Sequence, residues 1–223
     1  MVHKANDKKH SMEKRSIRTL NLIAGWLCLD FSNTLGMHAS DMGREFLGSY
    51  FDLAEWTNYA GIVTEEEERS LLDRAENLPK EAETVLHKAI ELREIIFRVF
   101  SSIVKNTAPG EKDISLFNKK LSKVIRQSKL EITESGIEWN VTGNKNTLDW
   151  PLNAVIHSAF SLLTSEELGK VKMCADKRGC GWLFVDHSKN RSRRWCDMAD
   201  CGNLAKQKRY YGRKHTRQIL YKE

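Results

Sequence analysis

The chain has 223 residues, of which 40% are hydrophobic, 9% aromatic and only three are proline. That is enough apolar material for a core, which excludes a disordered or collagen-like chain; the length suits one large domain, or a domain and a small module. Charged residues make up 30%, the mean hydropathy is −0.52, and no apolar run approaches the ~20 residues of a membrane span. No apolar segment follows the N-terminal lysines, so neither a secretory leader nor a membrane partner is expected and the chain reads as cytoplasmic.

The net charge of +6 averages unlike parts. Residues 1–18 carry six Lys/Arg against two Asp/Glu, residues 19–173 carry 17 against 23, and residues 174–223 carry 13 against five. The chain thus divides into a basic arm at +4, an acidic body at −6 and a tail at +8. Four of the five cysteines lie in that tail, which sets the expected domain boundary near 173.

Residues 1–18 lack any apolar period and read as a mobile arm. Within 25–34, Asp30, Ser32, Asn33 and Thr34 follow an apolar stretch and can cap a helix or tie a turn. A short helix is predicted over 52–60, stopping at Gly61. Thr64 and Glu67 form a capping box opening a helix over 65–77, and the acidic run Glu65–Glu68 is its solvated start rather than a metal site. The strongest helix spans Lys80 to Asn106, with a buried face of Ala82, Val85, Leu86, Ala89, Leu92, Ile96, Val99 and Ile103. Asp113 is placed to cap the next helix, which buries Leu116, Phe117, Leu121 and Val124. Leu130, Ile132, Ile137, Trp139 and Val141 alternate about a Glu-Ser-Gly turn, the mark of a β-hairpin. Pro151 suits the first turn of a helix whose face is Leu152, Val155, Ile156, Ala159, Phe160 and Leu163.

The tail carries Cys174 and Cys180, then fifteen residues, then Cys196 and Cys201. Two close pairs at that separation are the arithmetic of a zinc site, each turn offering two thiolates to a tetrahedron. Disulfides, unliganded buried thiols and a catalytic zinc are the alternatives. Four cysteines close the coordination shell, so one structural zinc ion is expected. Residues 181–186 and 191–195 read as two strands of a hairpin, and a helix begins at or just before Cys201. The expected fold class is mainly α (α+β): a helical N-terminal domain with one β-hairpin, 19–173, then a small treble-clef-like finger with a C-terminal helix, 174–223. Cys28, in an apolar stretch, reads as a core residue.

The runs Cys-Gly-Trp-Leu-Phe-x-Asp, Ser-x-Asn-Arg-Ser-Arg-Arg-Trp-Cys-x-Met and Cys-Gly-Asn-x-Ala-Lys resemble the CGNR zinc finger. The upstream Gly-x-Leu-x-Leu-Asp-Phe-x-Asn-Thr, followed by Trp56 and Gly61, resembles the ABATE domain that precedes this finger in bacterial proteins. Leu204 stands where the naming tetrapeptide of the finger has Arg. The resemblance implies a stress-induced transcription regulator and hence DNA binding.

The residues point the same way. On a helix, Lys206, Arg209, Arg213 and Arg217 share one face, and Lys189, Arg191, Arg193 and Arg194 lie in the preceding loop. A basic stripe beside a zinc-held platform suits nucleic acid, double-stranded DNA first, with Tyr210 and His215 available to stack on RNA bases. A solvated basic helix, or a protein-interaction module pairing with an acidic partner or the chain's own body, is the competing reading. Asp30, Asn33, Arg93 and His157 are polar groups near apolar faces and form a candidate pocket for a small-molecule effector or, less in keeping with the sequence, an enzyme site. No catalytic residue is assigned, and a homodimer is compatible with one reading element per chain.

Overall fold

The computed structural model describes residues 17–41, 43–134, 136–141, 144–145 and 147–220, without the side chains of residues 141 and 212–220. Residues 1–16 of the expected arm lie outside the described residues. In chain order, α1 (Leu27–Ser32) leads to a short antiparallel ladder of β1 (Leu35–Gly36) with β2 (Arg44–Glu45). Then come α2 (Tyr50–Tyr59), α3 (Glu65–Asn77), α4 (Pro79–Val104) and α5 (Glu111–Arg126), followed by the hairpin β3 (Ser128–Thr133) and β4 (Gly136–Val141). After α6 (Leu152–Leu163), β5 (Val171–Met173) pairs antiparallel with β6 (Leu183–Val185), and α7 (Asn203–Leu220) closes the described chain.

Local chemistry accounts for most of the boundaries. Ser49 caps α2 by accepting from the Asp52 N–H at 3.2 Å, and Gly61 takes φ +72° just beyond its end. Both bonds of the predicted capping box form at α3: Glu67 N–H to Thr64 Oγ1 at 3.2 Å and Thr64 N–H to Glu67 Oε2 at 2.9 Å. Asp113 does not cap α5. The helix starts earlier, after Gly110, and the Asp113 carboxylate instead accepts from Arg98 on α4 at 2.7 and 2.9 Å.

α4 runs through the core, burying Val85, Ala89, Leu92, Ile96 and Val99 as the spacing predicts, together with Ile95 and Phe100. Phe160 on α6, expected inside, is exposed. The β3–β4 register sets Leu130 opposite Trp139 and Ile132 opposite Ile137, so these four share one face. That face is largely uncovered, with Ile132 90% exposed, although Trp139 stacks on His157 of α6 at 5.7 Å.

β6 belongs to the main core. Leu183 and Val185 are fully buried with Leu29 of α1 and Ile96 of α4. Asn33, at the end of α1, grips the strand from both sides: its amide nitrogen donates to the Leu183 carbonyl and its oxygen accepts the Leu183 N–H, each at 2.9 Å. The strand expected to pair with 181–186 was 191–195, yet its partner is β5, upstream of the first cysteine. Residues 188–194 form an irregular loop instead, with Arg191 in the left-handed region at φ +47°.

Candidate metal centre and nucleic-acid interface

Cys174 follows β5, Cys180 precedes β6, and Cys196 and Cys201 flank the turn that opens α7. All four are buried, and their sulfurs lie within 4.8 Å of one another. The Cys180–Cys196 and Cys196–Cys201 separations are 3.7 and 3.8 Å. Sulfurs placed ~2.3 Å from a tetrahedral zinc are ~3.8 Å apart, so the cluster has the size of a zinc-thiolate shell. It is much too wide for disulfide bonds of ~2.05 Å. The four cysteines can therefore hold one zinc ion, with Phe184 buried beneath them and Trp182 and Trp195 packed at the sides. Cys28 has no part in this: burial against α6 pushes its thiol up to about 12, leaving it an inert core group.

The loop between the two cysteine pairs is organised by Asp186, a residue that sequence reasoning left without a role. Its buried carboxylate accepts from Lys172 Nζ at 2.6 Å and from the N–H groups of Ser188 and Arg193, both at 2.9 Å. Burial alone would raise its pKa; the Lys172 ammonium and the other donors outweigh that and hold it well below the usual carboxylate range. Lys172 also donates to the carbonyls of Arg191 and Arg193, so one ammonium ties the loop to β5.

The first cysteine turn is seated directly on the body. The His38 N–H donates to the Cys180 carbonyl at 2.9 Å, and the Ala39 N–H donates to the Gly179 carbonyl at 3.0 Å. Gly179 and Gly181 have φ of +92° and +67°, and a Cβ on either would come within 2.6 Å of Ser40 or Ala39. Only glycine permits both the turn and the approach. Beneath the contact, His38 stacks on Phe97 and pairs through Nε2 with Glu94 at 3.1 Å. Arg93 donates to Glu94 at 3.1 Å and forks onto Glu45 at 2.6 and 2.7 Å. The signal for this seat was the Gly-Cys-Gly run itself; nothing in the sequence named its partner.

The basic residues fall into distinct settings. Arg193 is half-buried over the Phe184 ring at 4.5 Å, and its guanidinium donates to the carbonyls of Trp195, at 3.0 Å, and Cys196. Lys189 and Arg191 are exposed on the loop, as are Arg194 beside it and Lys206 and Arg209 on α7. Arg194 and Arg209 lie over the Trp195 ring at 5.6 and 5.8 Å. Together with Lys177 and Lys208, which sequence reasoning passed over, they line a groove of about 380 Å³ between the first cysteine turn and α7. One acid reaches this groove, Asp176, and Arg178 neutralises it at 2.6 Å. The side chains of Arg213, His215 and Arg217 lie outside the described residues.

The four residues of the expected pocket are engaged separately. Asp30 accepts from the Ala24 N–H at 3.0 Å, and burial pushes its carboxyl up to about 6. Asn33 holds β6, Arg93 is bound by carboxylates, and His157, its pKa lowered by burial, stacks on Trp139. Among the described residues, no helix is long and apolar enough to cross a membrane.

No curated protein matches the chain. Two family models do. Residues 170–214 match the CGNR zinc finger, spanning all four cysteines and the first turns of α7. Residues 25–166, well over half of the chain, match ABATE, described as "Putative stress-induced transcription regulator". The helical core and the four-cysteine centre thus correspond to the two matched segments, and the chain belongs to the ABATE family, with a CGNR zinc finger following its family domain.

Proposed function

We propose that the chain is a cytoplasmic transcription regulator whose zinc finger binds double-stranded DNA and whose body, 19–173, senses a small molecule or dimerises. The observation that carries this reading is the cationic groove beside the metal centre. Lys177 and Arg194 come to it from the finger's first turn and loop, Lys208 and Arg209 from α7, and both arginines lie over the Trp195 indole. These are phosphate ligands set on a zinc-held platform. Lys189, Arg191 and Lys206 extend the same charge over exposed surface, and Arg193 supports it by fixing the loop that presents Arg194. Among the described residues, neither Lys206 nor Arg209 pairs with an acidic side chain of the body, which favours a free interface over one masked by the chain itself.

One reading element per chain covers one half-site, and a second copy would supply the other. The exposed face of Leu130, Ile132 and Ile137 supports pairing between copies. Duplex binding against salt tests the proposal. Four to five phosphate contacts give a log–log slope of about −4; no binding at low salt, or binding without a slope, rejects it. Stronger binding of a single strand would move the reading to stacking on Trp195 and Tyr210.

A further inference from the structure

α4, α5 and α6 leave a groove of about 540 Å³ between them, within the size range of small-molecule sites. Its floor is apolar, formed by Leu92, Leu116, Leu152 and Ile156. Its rim is cationic. Lys120 and Lys123 are held by Glu91 at 2.7 Å and Asp149 at 2.9 Å. Lys119 and Arg126 line the same groove and, among the described residues, pair with no carboxylate; Lys88 lines it too, within the field of Asp149.

Asn153 is the residue that packing does not explain. It is only 8% exposed and lines the groove; among the described residues nothing hydrogen-bonds its side-chain amide, whose polar atoms keep access to solvent there. Its inward-facing neighbours on α6 are Leu152, Val155, Ile156 and Ala159. The amide stands among these apolar neighbours with its polar atoms turned to the solvent side of the groove rather than sealed in the core. An amide retained there offers a donor and an acceptor to something in the groove.

We infer that this groove binds an amphipathic carboxylate. The unpaired cations of the rim meet the carboxylate, Asn153 hydrogen-bonds it, and the floor takes the hydrocarbon. A bare inorganic anion would leave the apolar floor unused, and a duplex backbone could not reach a recessed amide. The inference gives the sensing half of the proposed function a ligand class and rests on that reading only for any effect on DNA.

The test is calorimetric titration of the zinc-loaded full chain with octanoate, and separately with inorganic phosphate. Octanoate should bind once per chain. Lys119→Glu with Arg126→Glu, both at exposed positions, should weaken it about tenfold or more. Asn153→Leu should weaken it without lowering the melting temperature, a result that a purely structural asparagine would not give. The inference is overturned by absent saturable octanoate binding, by unaltered affinity in the double variant, or by phosphate binding as tightly as octanoate. Loss of duplex binding in the double variant would overturn it too, reassigning the groove to nucleic acid. Octanoate binding that leaves duplex affinity unchanged supports the groove and removes sensing; intact duplex binding without octanoate binding removes the groove alone.

Discussion

Asn33 and Leu183 exchange two hydrogen bonds of 2.9 Å across 150 positions of sequence, joining the end of the first helix to the strand beside the metal centre. Because Leu183 is fully buried, its backbone groups have no access to water if the amide is lost. Asn33→Ala should therefore destabilise the chain by about 3 kcal/mol, as two buried groups lose their partner. Asn33→Asp keeps an acceptor but sets a buried carboxylate against the Leu183 carbonyl, so at pH 7 it should destabilise at least as much. Urea denaturation followed by circular dichroism measures both; a change below ~0.5 kcal/mol for Ala would mean that the strand is held by packing alone.

The contact between the first cysteine turn and residues 38–40 makes a separate prediction. Gly181→Ala introduces a Cβ 2.6 Å from that of Ala39 at a φ of +67°. The expected cost is about 2 kcal/mol or more, from strain and loss of the seat. Zinc affinity should fall in the same variant, since the Cys180 carbonyl is held by His38. Gly169→Ala, where nothing lies within 4 Å of the added carbon, is the control and should be nearly neutral.

Metal content follows from the sulfur geometry. The purified chain should contain close to one zinc, and Cys196→Ser should lose it. Chelation should collapse the near-ultraviolet signal of Trp182 and Trp195, which pack on the cluster, and leave most of the helical signal in place. A chain that keeps its tryptophan signal without metal contradicts a structural zinc.

Asp30 sets a pH dependence of known sign. Burial raises its folded pKa to about 6 against 3.8 for the ordinary group, so the folded protein binds the extra proton between those values. Its contribution to stability therefore increases as pH falls from about 6 to 4. Asp30→Asn keeps a side-chain acceptor for the Ala24 N–H and removes the buried charge. It should stabilise the chain at pH 7 by on the order of 2 kcal/mol, with the gain vanishing near pH 4. Denaturation midpoints across that range check it; equal stabilisation at both ends would rule out titration as the cause.

Periodicity and capping rules located the helices because those signals are local. The Thr64–Glu67 box, the Gly61 stop and the apolar stripe of α4 are all complete within a few turns of chain. Long-range choices were less legible. Residues 191–195 looked like a strand, but Asp186 gathers donors from Lys172, Ser188 and Arg193 and bends that segment into a loop, leaving β6 to pair upstream. Asp113 had a cap's position and found Arg98 instead, one helix away. The cysteine spacing disclosed the metal centre, and the charge partition drew attention to the tail. Lys177 and Lys208 escaped notice because their neighbourhood exists only once the cysteines bring the first turn beside α7. The polar groups expected to converge in the body were instead bound one by one, as Arg93 is by Glu45 and Glu94.

The most direct test of the account is fluorescence anisotropy of a labelled duplex, titrated with zinc-loaded protein between about 50 and 200 mM salt. The wild type should bind with a log–log slope near −4, and Arg194→Glu with Arg209→Glu should weaken it at least about tenfold while retaining zinc. Zinc removal should abolish binding. Affinity that ignores both the arginines and the metal, or a zinc-loaded chain that fails to bind at the lowest salt, would contradict the finger as a nucleic-acid interface.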